Sequence, residues 1–352
     1  MQHDRNTVVT VIGDHECAMP ESNIVPAVSI VIPAYGSSCD IALALESVFA
    51  QTFDSFEVLV VNDGSPDSGE LEAALAPYRE RIRYFYFAQP NRGAGAARNT
   101  AIRAARGRYV AFLDADDRWV PEFLVLQTGY LDAHSACGLV YADAHLSGES
   151  PSLLGRRVMD ASPSSGNVTL ISLIEQRCNI LLSTVMVRRE LLLEAGLFDE
   201  SLRRGHDFDL WLRLALRGVQ IRYRRAVLAE RRIRTGGLSG SAVDEIQRAL
   251  NVLDRFWRAH ALDRDACTAI RVRVMALVDR LEIEQAKQRI AEGNFHAARY
   301  HLNAAQERSW KLRAAQVALS VAPRLLRAVY LRLRPPVWRV PVPAQQGTAP
   351  GI

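Results

Sequence analysis

Short apolar runs that break off into polar or acidic turns, with helically spaced stretches between them, constrain this chain more than any other feature. Val28-Ser29-Ile30-Val31-Ile32-Pro33 is closed by proline. The run from Glu57 to Val61 ends in Asn62-Asp63-Gly64-Ser65, and that from Arg108 to Leu113 ends in Asp114-Ala115-Asp116-Asp117. Apolar runs of this length bounded by turn residues are buried strands. The spacing predicts helices over 40–50, 67–78, 94–105 and 121–134, with further strands over 82–87 and 138–142. Strands alternating with helices give an α/β fold, a mostly parallel sheet covered on both faces.

In such sheets ligands collect beyond the carboxyl ends of the strands. Three of those ends carry Pro33-Ala34-Tyr35, Asn62-Asp63-Gly64-Ser65 and Asp114-Ala115-Asp116, so they are expected to share one crevice. Carboxylates crowded as Asp114, Asp116 and Asp117 are repel one another, and a divalent cation or an array of donors would neutralise them. Acidic triplets also occur in plain turns and at helix N-termini, so the strand context carries the reading. Tyr35 as base platform, Asp63 at the base edge, Asp114 at the ribose and Asp116 on a cation would together suit a nucleoside diphosphate. Asn91-Arg92-Gly93-Ala94-Gly95-Ala96-Ala97-Arg98-Asn99 supplies a tight glycine loop in which backbone can approach a ligand closely. It lacks the third glycine of the dinucleotide fingerprint and follows no strand directly, which disfavours a Rossmann dehydrogenase.

Composition bounds the classes. With 352 residues, 49% hydrophobic and 23% charged, the chain suits one large globular domain or two ordinary ones. The net charge of +4 is concentrated: Lys311, Arg313, Arg324, Arg327, Arg332, Arg334 and Arg339 stand in a stretch without an acidic residue, and the rest is net negative. A nucleic-acid surface over the main domain is therefore not expected. No window approaches the roughly 18 to 20 apolar residues of a spanning helix, and Met1-Gln2-His3-Asp4-Arg5 lacks the order of a secretory signal, so a cytoplasmic location is expected. Five scattered cysteines read as reduced thiols.

Residues 1–27 read as a flexible tail, and the Ser-, Gly- and Pro-rich loop at 147–166 separates the first half of the folded region from the second. A helix near 168–176 and a strand over 182–187 come next. In Arg204-Gly205-His206-Asp207-Phe208-Asp209-Leu210-Trp211-Leu212-Arg213 helical spacing places Asp207 in a first turn, where an acid is also favoured by the helix dipole. Trp211 falls on the apolar, core-facing side. Residues 243–310 are strongly helical. Farther on, Ala318, Ala322, Leu325, Leu326, Val329, Tyr330 and Leu333 share one face of a helix with Arg313, Arg324, Arg327 and Arg334 opposite. Two accounts stand for this segment at 312–334: an anionic membrane surface, or packing on the protein with the arginines in water. Residues 335–352 read as disordered.

The ordered set Val-Ser-Ile-Val-Ile-Pro-Ala-Tyr, Ser-Val-Phe-Ala-Gln-Thr, Val-Asn-Asp-Gly-Ser-Pro-Asp, Asn-Arg-Gly-Ala-Gly-Ala-Ala-Arg-Asn and Tyr-Val-Ala-Phe-Leu-Asp-Ala-Asp-Asp resembles the family 2 glycosyltransferases of GT-A fold. The resemblance covers roughly residues 28–240. It implies a nucleotide-sugar-binding half over 28–145, an acceptor half over 146–240, and a helical region over 241–334. It also implies inverting transfer from a UDP-, dTDP- or GDP-sugar to a saccharide or lipid-linked saccharide in cell-envelope polysaccharide assembly. The implied cation, Mg²⁺ or Mn²⁺, is held by Asp116 with Asp114 near the ribose. Pro33, Ala34, Tyr35, Asp63, Gly93 and Ala115 line the donor site, and Arg98 lies near the pyrophosphate. Asp207 is the implied general base, although the family's usual Glu-Asp pair reads His206-Asp207 here. The segment from Arg232 to Ser239 resembles the family's basic loop, and either Arg232 or Arg234 would reach the pyrophosphate, Arg234 being the preferred choice. Two other classes remain: a nucleotide-sugar-binding protein without turnover, motivated by His206, and a nucleotidyltransferase. The latter would open with a basic glycine-rich loop, and Pro33-Ala34-Tyr35-Gly36-Ser37 has no basic residue.

Overall fold

The computed structural model describes residues 9–11, 25–81, 83–87, 91–148, 153, 155–161, 163–164, 167–233, 241–306 and 309–333. Its strands are β1 (Val9–Val11), β2 (Val28–Ala34), β3 (Phe56–Asn62), β4 (Arg83–Phe87), β5 (Tyr109–Phe112), β6 (Arg118–Trp119), β7 (Cys137–Gly148), β8 (Met186–Arg188) and β9 (Gln220–Ile233). They form one sheet in the order β1-β4-β3-β2-β5-β8-β7-β9-β6. Neighbours among β4, β3, β2 and β5 run parallel, as do β7 and β9; the other pairings are antiparallel. The sheet is thus mixed, its parallel centre built from the Val- and Ile-rich runs β2 and β3. Ile30, Ile32, Val58 and Val60 are buried in one core, and Leu45 and Leu71 from flanking helices pack into it. Apolar residues on both faces of a strand need cover on both sides, which a parallel sheet with crossover helices provides.

The helices are α1 (Ile41–Phe49), α2 (Ser68–Leu75), α3 (Ala94–Ala104), α4 (Phe123–Ala133), α5 (Val158–Ala161), α6 (Leu170–Ile174), α7 (Arg189–Glu194), α8 (His206–Leu216), α9 (Ala242–Ala259), α10 (Arg264–Glu292), α11 (Phe295–Ala304), α12 (Trp310–Val321) and α13 (Pro323–Leu333). No helix among the described residues is long and apolar enough to cross a membrane. Two compact units result: one contains 1–234 with 248–274, the other 235–247 with 275–352. The division does not fall at residue 240, because most of α9 and the start of α10 belong with the sheet unit. In the second unit Ala286, Ile290, Ala298, Leu302, Leu312 and Leu319 form a separate small core.

Several expectations are corrected. Val9–Val11 pairs antiparallel with β4, so residues 1–27 are not irregular throughout. The strand expected over 182–187 starts later, because Leu182–Thr184 closes a 3₁₀ turn that carries buried Ser183 and Thr184. The single amphipathic helix expected over 312–334 is two helices broken at Ala322 (φ −141°, ψ 61°), where the adjoining Pro323 disfavours helical geometry. The tail 335–352 lies outside the described residues, as does Arg234.

Candidate active site

The strand register brings the expected site residues to one edge. Ala34 of β2 is opposite Asn62 of β3, and the Asp63 N–H donates to the Ala34 carbonyl at 3.0 Å. On the other side Val31 is opposite Phe112 of β5, and the Leu113 N–H donates to Val31 at 3.1 Å. Tyr35, Asp63 and Asp114 therefore leave adjacent strands, spaced about 4.8 Å apart, at the same end of the sheet. Ala34 and Ala115 are buried, Pro33 is half-buried, and Tyr35 stands 53% exposed at the rim, open for stacking.

The loops after β2 and β3 are lashed together. Ser65 Oγ accepts the Gly36 N–H at 2.7 Å, and Asp67 accepts the Ser38 N–H at 3.0 Å and the Ser65 hydroxyl. Burial would raise the Asp67 carboxyl, but donors from Ser38 and Ser65 outweigh it and hold the group at about 2. Ser65 and Asp67 stood in the sequence only as motif members; their short polar side chains near a turn were the available signal.

Asp63 is buried, and its two oxygens accept the N–H groups of Arg92 at 2.9 Å and Gly93 at 2.7 Å. Burial pushes its carboxyl up while those two donors pull it down, and burial prevails. Asp63 thus fixes the loop entering α3. Gly93 has φ +96°, and an added Cβ would meet nothing nearer than Arg203 Cδ at 3.8 Å. Glycine is needed there for backbone conformation. Asn99 Nδ2 donates to the Phe198 carbonyl at 2.9 Å and to Glu200 at 3.0 Å, its Oδ1 accepts the Phe198 N–H at 2.9 Å, and Arg92 pairs with Glu200 at 2.7 Å. The segment leading to α8 is therefore held by α3 and the loop before it.

Arg98 completes that junction. It is 4% exposed; Nη2 lies 2.5 Å from Asp114 and Nη1 2.8 Å from Nε2 of His206. A guanidinium only donates, so Nε2 accepts and the imidazole proton belongs on Nδ1. Burial, then the Arg98 charge, lowers the His206 pKa and keeps the ring neutral. Arg98 Nε and His206 Nδ1 are buried without a hydrogen bond among the described residues; the Leu202 carbonyl acts on the ring without closing one. Phe198 packs edge-on to both His206 and Phe112, with centroids 5.4 and 5.5 Å away. Asp207, half-buried in the first turn of α8, accepts no hydrogen bond from the described residues, whereas Asp209 is held by Arg213 at 2.8 Å. Trp211 is buried in the core, as its helical face predicts.

The acid turn closes when the Asp117 N–H donates to the Asp114 carbonyl at 3.0 Å, and the Asp114 N–H donates to Ser183 Oγ at 3.2 Å. Burial, then the Asp114 charge, raises the half-buried Asp116 carboxyl against the pull of Arg231 and Arg232. The same two causes push buried Asp117 up to about 7. Asp117 accepts the Arg232 N–H at 3.0 Å, and the Arg232 guanidinium pairs with buried Asp40 at the head of α1. Arg232 thus ties the end of β9 over the acid turn. Asp40, Ser183 and Glu200 carried no motif signal.

Among the described residues no three His, Cys, Asp or Glu side chains converge as a ready ligand set. Asp114 is already paired with Arg98, while Asp116 carries a carboxylate that burial and a neighbouring charge make costly to ionise. Such a donor set fits a divalent cation completed by ligand oxygens rather than one caged by protein.

Residues 29–154 match the family model described as glycosyl transferase family 2. An uncharacterized glycosyltransferase of Rickettsia typhi, RT0329, is 30% identical over 235 residues, covering 65% of this chain and 71% of the relative. Of two other Rickettsia relatives this chain spans only 28% and 34% of the length. Among solved structures, Staphylococcus aureus TarS 1–349 in complex with UDP superposes with a TM-score of 0.54 at 21% identity, over 87% of this chain and 89% of that one. The mannosyltransferase PcManGT of Pyrobaculum calidifontis, in complex with GDP-Man and Mn²⁺, does so with a TM-score of 0.58 at 18% identity, over 93% and 89%. At these identities the structural likeness shows a shared fold.

Proposed function

The chain belongs to glycosyl transferase family 2, and we propose that it is an inverting transferase that moves a sugar from a nucleoside diphosphate donor to a saccharide or lipid-linked saccharide acceptor. The observation that carries this reading is the buried Arg98 bridge, which sets the acid turn after β5 against the helix end bearing Asp207. Structural neighbours holding UDP and GDP-Man lend the donor class its support. In this reading Tyr35 stacks on the base beside Pro33 and Ala34. The hydrogen-bonded frame of Asp63 shapes the base edge of the pocket, and Asp114 faces the ribose.

Asp207 takes the proton of the acceptor hydroxyl as that oxygen forms its bond to the anomeric carbon. The bond from that carbon to the diphosphate oxygen breaks with its electron pair leaving on the diphosphate, and attack from the opposite face inverts the configuration. Asp116, with Asp114 beside it, would hold a divalent cation, Mg²⁺ or Mn²⁺, which supplies charge stabilisation for the departing diphosphate. Arg98 holds Asp114 in place, and Arg234, for which the family resemblance of the segment from Arg232 to Ser239 speaks, is the residue proposed to reach the diphosphate. The same proposal places the protein at the cytoplasmic face of a membrane, where a lipid-linked acceptor for envelope polysaccharide would be met.

The test is donor hydrolysis across UDP-, GDP- and dTDP-sugars with Mn²⁺ or Mg²⁺. Metal-dependent release of one nucleotide that is lost in Asp116→Ala supports the proposal; no turnover and no binding of any donor refutes it.

A further inference from the structure

The second unit presents two apolar faces on one pair of helices. Leu312 and Leu319 of α12, seven residues apart on one helical stripe, are buried in the small core, and Leu326 and Tyr330 of α13 pack partly against it. Arg327 Nε donates to the Ala291 carbonyl at 3.0 Å and holds α13 to the end of α10. At about 100° per residue, the side of α12 opposite Leu312 and Leu319 carries Trp310, Val317 and Val321. Among the described residues nothing covers this side of α12, where Trp310 is 75% exposed and Val321 79%; on the following α13, Leu325 is 65% exposed, and Val329 and Leu331 are exposed too.

The charges around the face decide which partner it would accept. Lys311, Arg313, Arg324 and Arg332 are exposed around it, and no Asp or Glu occurs from Lys311 to the end of the sequence. A second copy would bring the same cations against each other, which disfavours self-association. An apolar protein partner would bury those cations unpaired. An anionic bilayer takes both features at once: the apolar side chains enter the boundary of the acyl chains, the cations stay among the headgroups, and tryptophan suits the interface.

We propose that the outward face of α12 and α13, centred on Trp310, Val317, Val321 and Leu325, docks on an anionic lipid bilayer. Of the apolar face that the sequence marks out on α13, Leu326 and Tyr330 pack on the small core while Leu325 and Val329 stay exposed. The inference deepens the membrane part of the functional reading and rests on it only for what is delivered there. Vesicle binding is measured without any donor, so docking and transfer can fail independently.

The experiment is sedimentation of the full chain with vesicles of phosphatidylcholine alone or with one-third phosphatidylglycerol, beside Val317→Glu/Val321→Glu and Arg324→Glu/Arg332→Glu. These positions are exposed, and unchanged thermal unfolding verifies the fold of each variant. The account expects binding to the anionic vesicles only, weakened at high salt, and reduced about tenfold or more in both variants with donor hydrolysis in solution unchanged. Equal binding to both vesicle types, or full binding by the Val317→Glu/Val321→Glu protein, overturns it. So does a wild-type dimer that the valine variants dissociate, since that assigns the face to a second copy.

Discussion

Nη1 of Arg98 stands 2.8 Å from Nε2 of His206, so the head of α8 is joined by one buried cation to the acid turn after β5. A histidine at this place leaves the positive charge of Arg98 directed at Asp114, whereas a carboxylate would compete for it. Removing the cation leaves Asp114 beside Asp116 and Asp117 without its partner. Arg98→Met is therefore expected to lower kcat/KM for donor turnover by about 100-fold or more, about 2.7 kcal/mol. His206→Gln keeps an acceptor for Arg98 and should stay within about tenfold of wild type. His206→Leu should lose about 1–3 kcal/mol of stability, because a buried donor is left unpaired. Steady-state kinetics and denaturant unfolding of the three proteins check this.

Asp117 provides a pH test. Its carboxyl is raised to about 7 by burial and by Asp114, so the folded state holds that proton more tightly than the unfolded chain does. Stability should fall as pH rises from about 4 to about 7. Asp117→Asn should flatten that slope in urea titrations of the metal-free protein; an unchanged slope would remove Asp117 as its source.

Asp67 carries the opposite sign. Its folded pKa of about 2 lies below the unfolded value, so its stabilisation is complete above about pH 4 and is lost as pH falls towards 2. Asp67→Asn should cost roughly 1 kcal/mol at neutral pH, discounted for solvent screening, and little at pH 2. It should also weaken nucleotide binding by loosening the loop that carries Tyr35, which titration calorimetry would read.

Gly107 tests the packing of the sheet. A Cβ there would lie 2.6 Å from the Ser29 nitrogen and 2.8 Å from the Val28 carbonyl carbon, both backbone atoms. The Gly107 N–H donates to Ser29 Oγ, which in turn donates to buried Glu57 at 2.7 Å. Gly107→Ala is expected to cost about 2 kcal/mol or more and to lower Tm by several degrees. Gly69→Ala in α2, where a Cβ meets nothing within 4 Å, should be neutral or stabilising.

Much of this site could be read from residues alone, because strands β2, β3 and β5 are continuous apolar runs and their polar endings sit where a parallel sheet places ligands. Tyr35, Asp63 and Asp114 were legible for that reason. The partners of those residues were not: Arg98 to His206, Asp63 to the Gly93 loop, and Arg232 to Asp40 join positions far apart in sequence, and long-range pairing leaves no local periodicity. Strand β1 was missed although Val8-Val9-Thr10-Val11-Ile12 is a β-branched run closed by Gly13, because it stands apart from the strand–helix alternation that marks β2 to β5. The break at Ala322 was signalled by Pro323, while the choice between the two faces of α12 and α13 depended on where the small core lay.

The measurement that tests the central claim most directly compares donor binding with donor turnover for wild type and Asp207→Asn, using the nucleotide sugar that the wild-type protein hydrolyses fastest. The account predicts that Asp207→Asn binds that donor within about threefold of wild type and turns it over at least about a thousandfold more slowly. Equal turnover in the two proteins would contradict the assignment of Asp207 as base and, with it, the proposed mechanism.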